Sequence, residues 1–278
     1  MVIFNAMEML SHSYKKLTSL ITSDCPNFAV CKAAAFAILL AGSLKFLLGY
    51  TAAPPDFTQF DAGEERKQAF LDYFLPIIQQ QNRELLTQRA ELLDMHQEKG
   101  QLSFLERYKV SNLAETYEVE EFDFDEESDW QTLIRRVDIV PPSLALAQAA
   151  NESAWGTSRF AEQGNNYYGQ WCFVEGCGIV PNQRPAGESY EVADFSSAEE
   201  SVEYYLRNIN HHPAYSQLRQ TREQLRNSDA TVSGLQLVNG LTNYSERGEE
   251  YVSELRNMIQ FNDLAQLDGS DNPGYAVN

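Results

Sequence analysis

The sequence predicts a mainly α-helical protein with one small β lobe, preceded by a helical brace and an N-terminal transmembrane helix. Three observations carry this expectation. Apolar residues recur at helical spacing on both sides of the chain's centre; residues 164–195 are rich in aromatics and glycine and lack that period; and one long apolar segment, residues 33–50, lies near the start.

Taken in order, residues 1–32 are polar and read as a cytoplasmic N-terminal segment. Residues 33–50 are broken only by Lys45 and are long enough to span a bilayer, with Lys15, Lys16 and Lys32 on one side and a strongly acidic body on the other. That asymmetry places the N-terminus inside and exports the rest of the chain. The small residues Thr51, Ala52 and Ala53 also suit signal-peptide cleavage, but Pro54 would follow the cut directly, so an uncleaved single-pass anchor is expected. Residues 51–63 form a linker.

From residue 64 to 98 the apolar positions Phe70, Phe74, Ile77, Ile78, Leu85 and Leu92 mark a helix interrupted at Pro76. Leu102, Leu105 and Leu113 suggest another, and together these make a brace over residues 64–129. The brace ends in an acidic run, 115–129, expected to be solvated, with Phe122 and Phe124 as its points of attachment. The main domain covers residues 130–265. It opens with a short helix from Trp130 to Val137, then a helix N-capped by Ser143 after Pro141-Pro142 and stopped at Gly156. After the β lobe, Ser196 and Glu199 suggest a capping box for a helix reaching about Asn210. Further helices are expected over 221–227, 231–239 and 248–261, and a disordered tail over 266–278.

Composition narrows the function. The chain has 278 residues, 43% of them hydrophobic, enough for an ordinary core. Forty acidic residues against 21 basic give a net charge of −19, which argues against nucleic acid as a partner, since phosphate binding needs a basic face. Cys25 and Cys31 precede the apolar segment. Cys172 and Cys177 follow it, with four residues between them, and in an oxidising compartment that spacing suits a disulfide closing a small hairpin. A zinc site would need more ligands; only His211 and His212 offer themselves by type, and adjacent histidines are ordinarily structural. No cofactor or metal is expected. No Ser-His-Asp elbow, phosphate loop or zinc-peptidase signature occurs.

Glu152 is the anomaly. It is an acid in the last turn of a helix of small residues, where the C-terminal carbonyls disfavour negative charge. Desolvation by Trp155 and the alanines would push its pKa up, and a carboxyl still protonated near neutrality is what a general acid must be. On spacing alone it is equally well a surface glutamate that trails a core helix.

The run Ala147-Gln148-Ala149-Ala150-Asn151-Glu152-Ser153-Ala154-Trp155-Gly156, followed by Asn165-Asn166-Tyr167-Tyr168-Gly169, resembles the signature of the bacterial glucosaminidases of glycoside hydrolase family 73. Within that family the likeness is to the Bax-type proteins, through Arg66-Lys67-Gln68-Ala69-Phe70, Asn210-His211-His212-Pro213-Ala214-Tyr215 and Tyr244-Ser245-Glu246-Arg247-Gly248. The resemblance implies a lysozyme-like architecture and hydrolysis of the β-1,4 bond after N-acetylglucosamine, with peptidoglycan glycan strands as the partner. It implies that Glu152 protonates the leaving oxygen. A second carboxylate on the β lobe would activate water; Glu188, beside Gly187, is preferred over Glu191 and Glu175, and the sugar's own 2-acetamido group is the alternative nucleophile. By the same resemblance Tyr244 reaches into the cleft to orient the reacting sugar. Tyr167, Tyr168 and Trp171 are candidates to stack on sugar rings. The rival readings are a muramidase or lytic transglycosylase on the same fold, and a non-catalytic wall-binding module.

Overall fold

A computed structural model describes residues 53–269, apart from residues 183 and 186. The predicted cytoplasmic segment and spanning helix, and residues 270–278 of the predicted tail, lie outside the described residues. Among the described residues no helix is long and apolar enough to cross a membrane.

The long first helix, α1 (Glu64–Gln97), is continuous through Pro76, contrary to the expected interruption. Pro76 is exposed while Phe74, Ile77 and Ile78 are buried, so the carbonyl it leaves unbonded is on the solvent side and the buried stripe runs on through it. Helix α2 (Phe104–Thr116) begins at a capping box between Ser103 and Glu106. It buries Val110 and Ala114 and packs Leu113 against the core, as Leu102 does just before it; of the three leucines read from the sequence only Leu105 is exposed. The acidic run that follows is fastened by aromatics. Phe122 and Phe124 pack on Trp130 at 5.4 and 6.1 Å, and the Trp130 indole donates to the Phe124 carbonyl at 2.9 Å.

Helices α3 (Glu127–Arg136) and α4 (Pro142–Ser153) are joined by a tightly held loop. Asp138 at its centre is buried and ringed by Arg226 at 2.8 Å, Arg89 at 3.6 Å and Arg222 at 3.7 Å. Burial alone would raise its carboxyl, but the three guanidinium groups outweigh that and hold it below the usual carboxylate range. Asn82 of α1 donates to the Val140 carbonyl at 2.8 Å, fixing where α4 starts.

That start differs from expectation. Ser143 is not the N-cap; Pro141 is, and it has no side-chain oxygen to offer. The cap comes from the far end of the chain. Asp268, in the 3₁₀ turn Leu264–Asp268, accepts from the Ser143 amide at 2.9 Å, the Ser143 hydroxyl at 2.5 Å and the Gly234 amide at 2.8 Å. The expected tail therefore does not begin at residue 266, because Asp268 is buried as part of the core.

After α5 (Arg159–Gly164) comes the β lobe: β1 (Trp171–Cys172), β2 (Gly178–Ile179) and β3 (Glu191–Ala193), antiparallel in the order β1-β3-β2, with Trp171 opposite Val192 and Gly178 opposite Ala193. Helix α6 (Ala198–His211) is capped by Ser197, one residue later than expected; its hydroxyl accepts from the Glu200 amide at 3.2 Å, and the Glu200 carboxylate returns to the Ser196 amide at 2.7 Å. Helices α7 (Ser216–Asn227), α8 (Gly234–Leu237) and α9 (Glu249–Phe261) complete the domain. Helices α1 and α9 both pack on α4, and Phe70 and Phe74 of α1 meet Trp155 and Tyr167 of the main domain. The brace thus shares one core with the domain it was expected to flank, and each fully buried Phe or Leu there contributes about 1.5–3 kcal/mol. The result is a mainly α fold with a small β lobe.

Candidate active site

Every residue of α4 from Pro142 to Ala150 is buried, and its alanines let α1, α9 and the 3₁₀ turn Leu264–Asp268 approach closely. The helix ends where three successive residues turn left-handed: Ala154, Trp155 and Gly156, with φ of 51°, 58° and 79°. Gly156 is the tightest of these, since a Cβ there would collide with the Phe57 ring. The chain therefore leaves the helix at Ala154, two residues before the expected glycine stop. Ser153 fastens the exit, donating to the Ala149 carbonyl at 2.6 Å and accepting from the Gly156 amide at 2.8 Å.

Glu152 sits in this last turn, half-buried. Burial raises its pKa above the usual carboxylate range; hydrogen bonds from Tyr251 and Asn151 and the charge of Arg247 oppose the shift without cancelling it, and Glu254 adds to it. The Tyr251 hydroxyl belongs to a relay. It accepts from the Gln148 amide at 3.0 Å, and the Gln148 carbonyl oxygen accepts from the Tyr205 hydroxyl at 2.6 Å. Gln148 lies one turn before Glu152, so the same helix face carries the acid and the anchor of its hydrogen-bond donor.

The turn from Asn165 to Gly169 faces the acid. Buried Asn166 holds it, donating to the carbonyls of Gln170 and Ala193 at 2.8 and 2.9 Å and accepting from the Gln170 amide at 3.0 Å. Gly169 has φ 66°, and a Cβ on it would stand 3.4 Å from Glu152 Oε2. A side chain there would crowd the acid, so glycine serves both the turn and the approach. Beyond the turn a cleft of about 460 Å³ opens, lined by Gln170, Trp171, Tyr168, Tyr215 and Tyr244 among others.

The predicted residues divide here. Tyr244 reaches the cleft, but its hydroxyl donates to the Tyr168 carbonyl at 2.8 Å and its ring lies parallel to Tyr251 at 5.5 Å. Trp171 is half-exposed on the cleft wall and stacks on Tyr190 at 4.3 Å. Tyr167 and Tyr168 do not present open ring faces: Tyr167 is buried against Phe74 at 4.5 Å, and Tyr168 is buried and stacked on Tyr205 at 3.9 Å. Aromatic residues in a tight turn were spent on the core.

Among the candidate second carboxylates, Glu188 and Glu175 are exposed, Glu188 beside the left-handed Gly187. Glu191 is buried and accepts from the amides of Gly176 and Gly178 at 3.2 and 2.9 Å, which commits it to the hairpin. Cys172 and Cys177 are joined in a disulfide with Cα atoms 6.2 Å apart, closing that hairpin as expected. His211 pairs with Glu118 at 3.0 Å, while His212 Nδ1 accepts from the Ala214 amide at 3.2 Å. Both histidines are held by protein groups, and no metal cluster including either is formed among the described residues.

Two participants are not singled out by the sequence: Tyr251, which lies 99 residues beyond the acid, and Gln148, which stands in the motif without an assigned role. The i, i+4 relation of Gln148 to Glu152 was the available signal.

A family model described as mannosyl-glycoprotein endo-beta-N-acetylglucosaminidase matches residues 127–264. Over 208 residues the chain is 38% identical to Protein bax of Escherichia coli (strain K12), covering 75% of this chain and 74% of that protein. No solved structure matches.

Proposed function

Because the chain belongs to the Bax-type glucosaminidase family, we propose that it is a peptidoglycan hydrolase cleaving the β-1,4 bond after N-acetylglucosamine, with Glu152 as general acid. One observation carries the reading: a half-buried carboxyl with a raised pKa, donated to by Tyr251 and set behind Gly169, which itself lines an aromatic-rich cleft.

In this mechanism a glycan strand lies along the cleft with Trp171 against a sugar face. Glu152 gives its proton to the glycosidic oxygen as the bond to the anomeric carbon breaks, and the positive charge spreads over that carbon and its ring oxygen. The carboxylate left behind keeps its hydrogen bond from Tyr251, which stabilises it after proton transfer. Water then adds to the anomeric carbon, losing a proton to Glu188 on the exposed Gly187 turn. Tyr244 acts indirectly, through the Tyr168 carbonyl, by holding the turn that bears Gly169. The proposal includes the N-terminal anchor at residues 33–50, which would keep the domain on the wall side of the inner membrane.

The test is Glu152→Gln on purified wall, with the released muropeptides identified by mass spectrometry. N-Acetylglucosamine reducing ends from the wild type and none from the variant support the reading. Muramic acid or anhydro ends would assign the activity to a muramidase or a lytic transglycosylase, and no wild-type release at all would leave a binding module.

A further inference from the structure

Gln170 follows directly on Gly169, the residue whose Cβ position lies 3.4 Å from Glu152 Oε2, and its backbone is held at both ends by Asn166. It lines the cleft and is only 6% exposed. Neither its Nε2 nor its Oε1 has a hydrogen-bond partner within the protein. An unpaired buried carboxamide costs stability, on the order of 1–3 kcal/mol for each group left unmade, and the same volume could be filled by leucine without that cost. The Tyr168 hydroxyl is the other wholly unpaired polar group on this cleft, but Gln170 alone brings its unpaired donor and acceptor on two separate atoms.

We propose that the Gln170 carboxamide is a specificity determinant that reads the acetamido group of the reacting sugar. This rests on the glycosidase reading above and deepens it. An acetamido group offers one N–H and one C=O on adjacent atoms, the complement of a carboxamide's C=O and NH₂. In a 2-acetamido sugar that group is attached one carbon from the scissile anomeric centre. The carboxamide belongs to the residue that follows Gly169, whose Cβ position lies 3.4 Å from Glu152 Oε2, so acid and carboxamide are borne on one stretch of the cleft wall. Its two polar atoms are sealed just below the cleft surface, so pairing requires the side chain to turn outward as the sugar enters. A sugar with a plain 2-hydroxyl cannot satisfy both ends, and a site built for a polar partner rejects the analogue that leaves its own groups unpaired.

The experiment measures equilibrium binding of chitopentaose and cellopentaose, both neutral and differing at the 2-position. It uses the full chain carrying Glu152→Gln, so that neither sugar is turned over. Adding Gln170→Leu should lower the chitopentaose-to-cellopentaose affinity ratio about tenfold, the loss expected for two neutral hydrogen bonds. The same substitution should leave the thermal midpoint unchanged or raise it, since it removes an unpaired buried amide. Gln170→Glu, which accepts but does not donate, should fall between the two. A ratio that survives Gln170→Leu overturns the inference while leaving the glycosidase reading in place. A lowered midpoint with an unchanged ratio shows that the amide is structural and also overturns it. Failure of the parent protein to bind either sugar overturns both.

Discussion

Tyr251→Phe removes one oxygen and keeps the ring that stacks on Tyr244, so its effects isolate the relay beneath Glu152. Two groups lose a partner. The buried Gln148 amide no longer donates to a hydroxyl, and the Glu152 carboxylate no longer receives a hydrogen bond. The first loss should cost about 1–3 kcal/mol, lowering the thermal midpoint by roughly 2–4 °C per kcal/mol for a domain of this size. The second changes protonation. The Tyr251 bond favours the charged form and pulls the pKa of Glu152 down against the upward push of burial. Without it the pKa rises further. A hydrogen bond to a charged group is worth about 1.5–3 kcal/mol, which corresponds to roughly one to two pH units. Because a general acid works only while protonated, activity is lost as pH rises through its pKa, and that alkaline limb should move upward in the variant. The assay is kcat/KM against pH on soluble glycan strands. An alkaline limb that stays put or moves down would refute the relay, whatever the change in stability.

Tyr244→Phe frees the Tyr168 carbonyl and should cost about 0.5–1.5 kcal/mol of stability. It should lower kcat more than it raises KM, because the turn that opposes Glu152 loosens. Equal effects on both, or neither, would reduce Tyr244 to packing; kinetics and a melting curve on one preparation decide. Asp268→Ala uncaps α4 and leaves the Ser143 and Gly234 amides buried without their acceptor, at a cost of about 1–3 kcal/mol by denaturant titration. A loss well under 1 kcal/mol would show that the start of α4 needs no distant cap.

Helix positions were legible where periodicity and capping act locally. The Phe70–Phe74 stripe and the small-residue run of α4 are each decided within a few residues. Local reading failed where a distant segment supplied the missing group. Ser143 looks like an N-cap, but Asp268, 125 residues on, does the capping. Pro76 looks like a break, but the helix continues through it with buried residues on either side. The site shows the same division. Glu152 stands out because an acid at the C-terminal end of an alanine-rich helix conflicts with local electrostatics. Tyr167 and Tyr168 mislead because exposed stacking and buried packing place the same residue types in the same turn. Tyr251 escaped notice because its partnership with Gln148 is made only when α9 docks on α4.

The central claim is that Glu152 is the proton donor, and stability and activity measured on Glu152→Gln test it together. A buried carboxyl with a raised pKa binds its proton more tightly folded than unfolded. Its contribution to stability is therefore present at low pH and falls as pH rises from the usual carboxylate range through the folded pKa. The amide removes that burden, so at neutral pH the variant should melt at the same temperature as the wild type or higher. Its release of N-acetylglucosamine reducing ends from purified wall should fall by about a hundredfold or more. Retained release from a stably folded variant would contradict the account.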